Sequence, residues 1–138
     1  MKKLITLPLT LLILASCTHQ KNDQFFSSYF TAQEKLAHDQ ALKKSDIETL
    51  YEQASKLDES NLTEAIKRLN NLENIKEQRE AFKEISTQSI SLAKKKNFKK
   101  GYLAECPMAK ARWIQKGEAV QNPYYGSKMF SCGSSKRL

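Results

Sequence analysis

Two short stretches near the C-terminal end each pair a thiol with a thioether. The first is Cys106-Pro107-Met108 and the second Met129-Phe130-Ser131-Cys132, so the order of the two sulfur types is mirrored. Together they offer two thiolates and two thioethers. Soft sulfur donors select soft, thiophilic ions, and Cu(I) leads that group. Zn(II) favours thiolate with imidazole or carboxylate and makes little use of thioether. Pro107 stiffens the first stretch, and Gly133 lets the chain turn closely after the second. Thiols coordinate as thiolates, so uptake of a metal would release protons and weaken in acid. The same residues support a second reading. In an oxidising compartment, Cys106 and Cys132 pair as a disulfide, a staple of about 3 kcal/mol in the loop-entropy description. Met108 and Met129 would then be packing residues. The readings meet if a reducible disulfide opens to a metal-loading thiol pair.

Catalysis finds less support. Cys106 has no histidine beside it in sequence, and a thiol nucleophile needs a base. His38 has no ligating residue three or four positions on, and a place near a helix C-terminus explains it. His19 stands far from either cysteine pair. No Cys-x-x-Cys redox pair, Gly-rich phosphate loop or zinc-protease helix motif occurs, and the chain is read as not an enzyme. Glu80 and Glu84, with Arg79 or Lys83 nearby, read as surface ion pairs, and Arg79 is the alternative to Ala81 for an inward place on the fourth helix.

The other end of the chain carries an address. Met1-Lys2-Lys3 is basic, Leu4 to Leu14 is an apolar run broken only by Thr6, Pro8 and Thr10, and Leu14-Ala15-Ser16-Cys17 follows. A basic start, an apolar segment of this length and small residues before the cut describe a secretory signal. The run is too short to remain as a membrane span. Leu-Ala-Ser-Cys also resembles the bacterial lipobox, which implies cleavage before Cys17 and diacylglycerol on its sulfur. More than one acyl chain anchors stably where one would be marginal. Thr18, rather than Asp, after that cysteine favours the outer membrane. The expected organisation is a signal peptide at 1–16, lipidated Cys17 with a polar tether to residue 24, a helical body at 25–96, and a Cys/Met-rich tail at 97–138 packed on it.

The chain has 138 residues, 23 Lys+Arg against 15 Asp+Glu, and only 7 Gly plus Pro. One domain is the natural outcome at this size, and collagen-like or wholly disordered classes are excluded. Loss of Lys2 and Lys3 leaves 21 basic residues against 15 acidic, a net charge near +6. Export argues against nucleic acid as the partner, so the lysine runs read as solvated faces or contacts with anionic lipid or acidic proteins.

The elements that must hold the sulfurs are mostly helical. Phe25 to Lys96 contains neither Pro nor Gly. Apolar residues recur at three-and-four spacing: Phe26, Tyr29, Phe30, Leu36; then Leu42, Ile47, Leu50, Ala54, Leu57; then Leu62, Ala65, Ile66, Leu69; then Ile75, Phe82, Ile85, Leu92. Asp39, with Ser45-Asp46 as the alternative start, caps the second helix. Ser60 or Asn61 caps the third, and Asn70, Asn71 and Asn74 mark the turn into the fourth. Four amphipathic helices with short links predict an all-α, up-down bundle. The glycines, all at 101 or later, predict an irregular segment of loops and short strands on that bundle. Trp113 reads as its core anchor, with Tyr124 and Tyr125 as structural residues after the Asn122-Pro123 turn.

The tail resembles a bacterial exported domain family of unknown function. The matching residues are Cys106-Pro107-Met108-Ala109, Trp113, and Asn122-Pro123-Tyr124-Tyr125-Gly126 followed by Met129 and Cys132-Gly133; Gln78-Arg79-Glu80-Ala81-Phe82 matches in the helical part. Members occur as small stand-alone exported proteins and fused to periplasmic adaptor subunits of copper and heavy-metal efflux systems. Many carry an insertion between Ala109 and Trp113 that is absent here. The resemblance implies a helical domain with a sulfur-rich loop, Cys106, Met108, Met129 and Cys132 as Cu(I) ligands, and a metal-efflux adaptor as partner. The expected protein is thus a lipid-anchored, periplasm-facing copper buffer or chaperone. The alternative is a structural or interaction lipoprotein with a Cys106–Cys132 disulfide and no metal.

Overall fold

The structure is a computed structural model that describes the backbone of residues 10–138 and side chains from Cys17 onward. The expected signal peptide therefore lies largely outside the described residues. Among the described residues no helix is long and apolar enough to cross a membrane.

Four helices come first: α1 (Thr10–Ala37), α2 (Lys44–Ser55), α3 (Ser60–Lys67), extended by a 3-10 turn at Arg68–Asn71, and α4 (Ile75–Lys95). Their apolar stripes supply most of the core, including Phe25, Phe26, Tyr29, Leu36, Leu50, Ile66, Phe82 and Ile85. The fold is mainly helical, as the periodicity predicts. It also contains a three-stranded antiparallel sheet, made of β1 (Tyr102–Cys106), β2 (Ala111–Gln115) and β3 (Ser134–Arg137) in the order β2-β1-β3. These short strands take up a third of the tail, residues 97–138, that is expected to hold loops and short strands. β2 packs on α4 and touches α1, and its Trp113 and Ile114 are fully buried, so the sheet shares the helical core.

Local chemistry explains the element ends. Asp46 lies in the first turn of α2: one carboxylate oxygen accepts from the Lys43 amide (2.9 Å) and the other from Lys35 Nζ (2.6 Å). A carboxylate three residues into a helix offsets the unpaired amides of its first turn. Burial raises the Asp46 carboxyl, but the Lys35 and Lys43 bonds outweigh it, and the net shift is downward. Asp39 is not the cap of the second helix. It sits beyond the end of α1 at φ 58°, a left-handed conformation that Asp tolerates. Neither Ser60 nor Asn61 caps α3; the N-cap is Glu59, whose side chain makes no capping bond and pairs with Lys95 instead. Asn74 does cap α4, its side chain accepting from the Lys76 amide (2.8 Å).

The expected tether is a correction. Residues 18–24 continue α1 instead of forming a loose link. Asn22 is buried there, and Asp23 pairs with Lys100 Nζ at 2.6 Å. The segment contains no helix breaker, and contact with the start of the sheet gives it a reason to stay helical.

Candidate metal centre

β1 delivers Cys106 to its end, on the sheet face that also carries Ala104, and both are buried. The chain then turns tightly at Pro107–Lys110, with the Lys110 amide donating to the Pro107 carbonyl (3.1 Å). Lys110 adopts φ 50° to close the turn. This geometry curls the Ala109 amide back over the Cys106 sulfur at 3.4 Å. Burial pushes the Cys106 thiol up, yet the Ala109 amide, the Cys132 thiol, the Met108 amide and the Asn122 side chain together hold it below its ordinary value. Hydrogen bonds to a thiolate favour the charged form, which is the form that binds metal.

Cys132 reaches the same place from the other side. Asn122, fully buried, organises its approach: its side-chain oxygen accepts from the amides of Tyr124 (2.9 Å) and Tyr125 (3.3 Å), and its Nδ2 donates to the Cys132 carbonyl (3.1 Å). The Asn122 amide donates to Phe130 O at 2.7 Å. The Asn-Pro-Tyr-Tyr turn and the Met129–Cys132 stretch are thereby bound into one knot. Gly133 lets the chain continue into β3. It adopts φ 130°, and a Cβ there would overlap the Glu105 carbonyl oxygen. Only glycine permits this approach of the second sulfur stretch to β1.

The result is a Cys106 Sγ to Cys132 Sγ separation of 3.3 Å with both thiols free. The hydrogen bond to Cys106, then burial, then the Cys106 charge hold the half-buried Cys132 thiol up. The two thiols are thus shifted in opposite directions, and Cys106 gives up its proton before Cys132. A cleft of about 430 Å³ opens beside Cys106, bordered by Lys83, Lys110 and Arg112.

The thioethers are brought only as far as the two loops. Met108 is 62% exposed, the one large apolar side chain so exposed among the described residues. Its carbonyl accepts from Tyr125 OH (3.1 Å), which ties the first loop to the second. Met129 is half-buried at the end of a 3-10 turn (Gly126–Met129), and its carbonyl accepts from the Cys132 amide at 3.1 Å. Among the described residues no cluster of three His, Cys, Asp or Glu side chains forms. Cys17 is exposed on α1. His38 is exposed as well, with Nδ1 at 2.8 Å from Glu34 O and its ring against Phe130.

One supporting group takes the inward of its two expected places. Arg79 belongs to no surface pair: its side chain is 15% exposed and joins three segments. Nε donates to Pro123 O (2.9 Å), and Nη2 to Leu36 O (2.6 Å) and Asp39 Oδ1 (2.7 Å). Asp39 Oδ2 in turn accepts from the Ser127 amide at 3.1 Å. The Arg79 bond and the Ser127 amide hold the Asp39 carboxyl well below the usual carboxylate range. This latch fastens the loop bearing Met129 to α1 and α4. Gly126 belongs to it, because a Cβ there would overlap Asp39 and Arg79. The signal in sequence was an arginine on the apolar side of helix 4, one turn from Ile75. Glu80 does form the expected surface pair, with Lys83 (2.8 Å). Trp113 is fully buried as expected, its Nε1 donating to Gln115 Oε1 (3.0 Å), and Tyr124 is buried with its hydroxyl on Ser86 Oγ (2.9 Å).

No protein-family model matches this chain, and neither the curated proteins nor the solved structures contain a match to it.

Proposed function

We propose that this protein is a lipid-anchored protein of the bacterial cell envelope that binds a soft metal ion, Cu(I) first, through Cys106 and Cys132, as a buffer or as a chaperone toward efflux. The observation that carries the reading is the 3.3 Å approach of two free thiols from distant stretches, one of them buried and biased toward thiolate. Two soft anionic donors at one point suit a monovalent soft cation. Met108 and Met129, on the same two turns as the cysteines, are the thioethers proposed to complete the set. The finer architecture of the reading is an up-down arrangement of the four helices with the sulfur loops at one end. The anchor rests on the resemblance of Leu14–Cys17 to a lipobox, with the outer membrane as the favoured side. An efflux adaptor as partner rests on the family resemblance of the tail. The function is one of binding, not catalysis.

A second reading is favoured by the same distance. Sulfurs 3.3 Å apart need only a small movement to reach the bond length of a disulfide, about 2.05 Å. The chain would then be a stapled structural or interaction lipoprotein.

Titration of the reduced protein with Cu(I) against a chromogenic competitor separates the two. The metal reading expects the wild type to withdraw one equivalent of Cu(I) and the Cys106→Ser/Cys132→Ser protein to withdraw none. Equal competition by both proteins would contradict it. Isolation from the envelope with the pair fully oxidised and resistant to reduction would support the staple.

A further inference from the structure

The charge of this protein is not spread evenly. A pocket of about 290 Å³ lies where the end of α4, the link that follows it and the sheet meet, and five cations line it: Lys94, Lys99, Arg112, Lys136 and Arg137. No Asp or Glu side chain borders it. Among the described residues none of the five forms an ion pair; Arg137 instead donates to Tyr102 OH (3.0 Å) and lies over its ring. Glu105, cross-strand from Arg112, borders a neighbouring hollow without pairing to any of them. A lysine in the last turn of a helix is explained by the carbonyls there, and Lys94 alone would need no more. Arg112 and Lys136 come from strands and have no such reason to converge. Leu138, whose carboxylate ends this chain, also borders the pocket, so five cations face one anion there; a concavity with that excess of one sign still concentrates counter-ions. Phe98 gives this one an apolar wall.

Its place in the fold is informative. Lys100, next to Lys99, pairs with Asp23, and Phe98 stacks on Phe26 at 3.9 Å. Both contacts are to the early part of α1, six to nine residues after Cys17, or roughly 9–14 Å along the helix. The sulfur loops are fastened at the other end, through Asp39 just past Ala37, roughly 20 Å farther on. The Phe98–Lys99 side of the pocket is therefore toward the end from which Cys17 leaves, and the Met129 loop is fastened toward the other; Arg112 is shared between the pocket and the cleft beside Cys106.

We infer that this pocket binds the phosphate headgroup of an anionic phospholipid in the membrane that holds Cys17, seating the domain with its sulfur loops outward. The inference rests on the anchor in the proposed function and is independent of the metal. A basic group near an anionic bilayer contributes about a fivefold factor in binding.

The test uses the full protein, matured and lipidated in its membrane, then placed in nanodiscs of phosphatidylcholine with or without phosphatidylglycerol. Intact mass first reports the diacylglycerol on Cys17; its absence would remove the anchor and this inference with it, leaving the metal reading untouched. Amide hydrogen exchange is then followed at Lys99–Gly101 and Lys136–Leu138. Phosphatidylglycerol is expected to slow exchange there by about fivefold or more. Lys99→Glu/Lys136→Glu abolishes the effect, whereas Lys76→Glu/Lys128→Glu, an equal charge change at the sulfur end, leaves it intact. Both pairs are exposed, so the folded baseline is checked simply by unchanged exchange elsewhere. Three results would overturn the inference: no dependence on phosphatidylglycerol, equal loss in both double variants, or equal protection by millimolar inorganic phosphate in phosphatidylcholine discs. The last would assign the pocket to a free phosphate.

Discussion

Gly133→Ala tests how the two sulfur stretches are brought together. The native residue sits at φ 130°, where an L side chain is strained, and the added methyl would overlap the Glu105 carbonyl oxygen of β1. Strain of that kind costs about 1–3 kcal/mol. Forcing a methyl against fixed backbone costs a similar about 1–3 kcal/mol. A loss of about 3 kcal/mol is therefore expected, or roughly 10 °C in Tm for a domain of this size. The chain can escape part of that cost by peeling β3 from β1, and the escape has its own signature, because Cys132 leaves with the strand. Gly117→Ala is the control: nothing lies within 4 Å of its added methyl and its backbone is not left-handed. That change should be neutral or stabilise by about 0.4–1 kcal/mol, through the unfolded chain. Thermal unfolding by circular dichroism gives the first readout. Bridging of the two thiols by a short bifunctional alkylator gives the second. Gly133→Ala should lose both stability and bridging, and Gly117→Ala neither. Equal melting temperatures with equal bridging would refute the close-approach argument.

Two further outcomes follow from the surrounding bonds. Arg79→Lys cannot reproduce a guanidinium that serves Pro123 O, Leu36 O and Asp39 at once, and should cost about 2–4 kcal/mol in a denaturant titration by leaving buried carbonyls unpaired. Because the Asp39 carboxyl is held low, the stability it contributes is complete above the ordinary carboxylate range and is lost progressively as the pH falls from that range through its folded value. The melting temperature should accordingly stay level from pH 7 to about 4 as far as Asp39 is concerned, with a shallower acid decline in Asp39→Asn. In the reduced protein, thiolate absorbance should rise in two separated steps, Cys106 below the ordinary thiol value and Cys132 above it, and Cys106→Ser should move the Cys132 step down. A single unresolved step for the pair would contradict the opposite shifts of the two thiols.

How much of this was legible depended on where the determining contact lay. The helices were readable because their cause is local: apolar residues at helical spacing, without Gly or Pro, over some 70 positions. Their ends were less so. Asp39 has the chemistry of an N-cap, but its carboxylate is drawn to Arg79, forty residues on, and it closes the first helix instead of opening the second. The polar run 18–24 looks like a tether in isolation and becomes helix with Asn22 buried and Asp23 against Lys100. β3 could not be seen at all. Ser134–Arg137 is polar and mostly exposed, and it is a strand because Tyr102–Glu105 supplies its partner. The sulfurs were legible as a set of donors, and Gly133 as the place of a close turn. That Asn122 would bind the Cys132 carbonyl while arranging the Tyr124 and Tyr125 amides required the fold.

The most direct test of the metal account is X-ray absorption at the copper edge on protein loaded with one equivalent of Cu(I). The account predicts a shell of sulfur alone, from Cys106 and Cys132, with any further scatterer also sulfur and lost in Met108→Leu/Met129→Leu. Nitrogen or oxygen neighbours, or a spectrum unchanged by Cys106→Ser/Cys132→Ser, would contradict it.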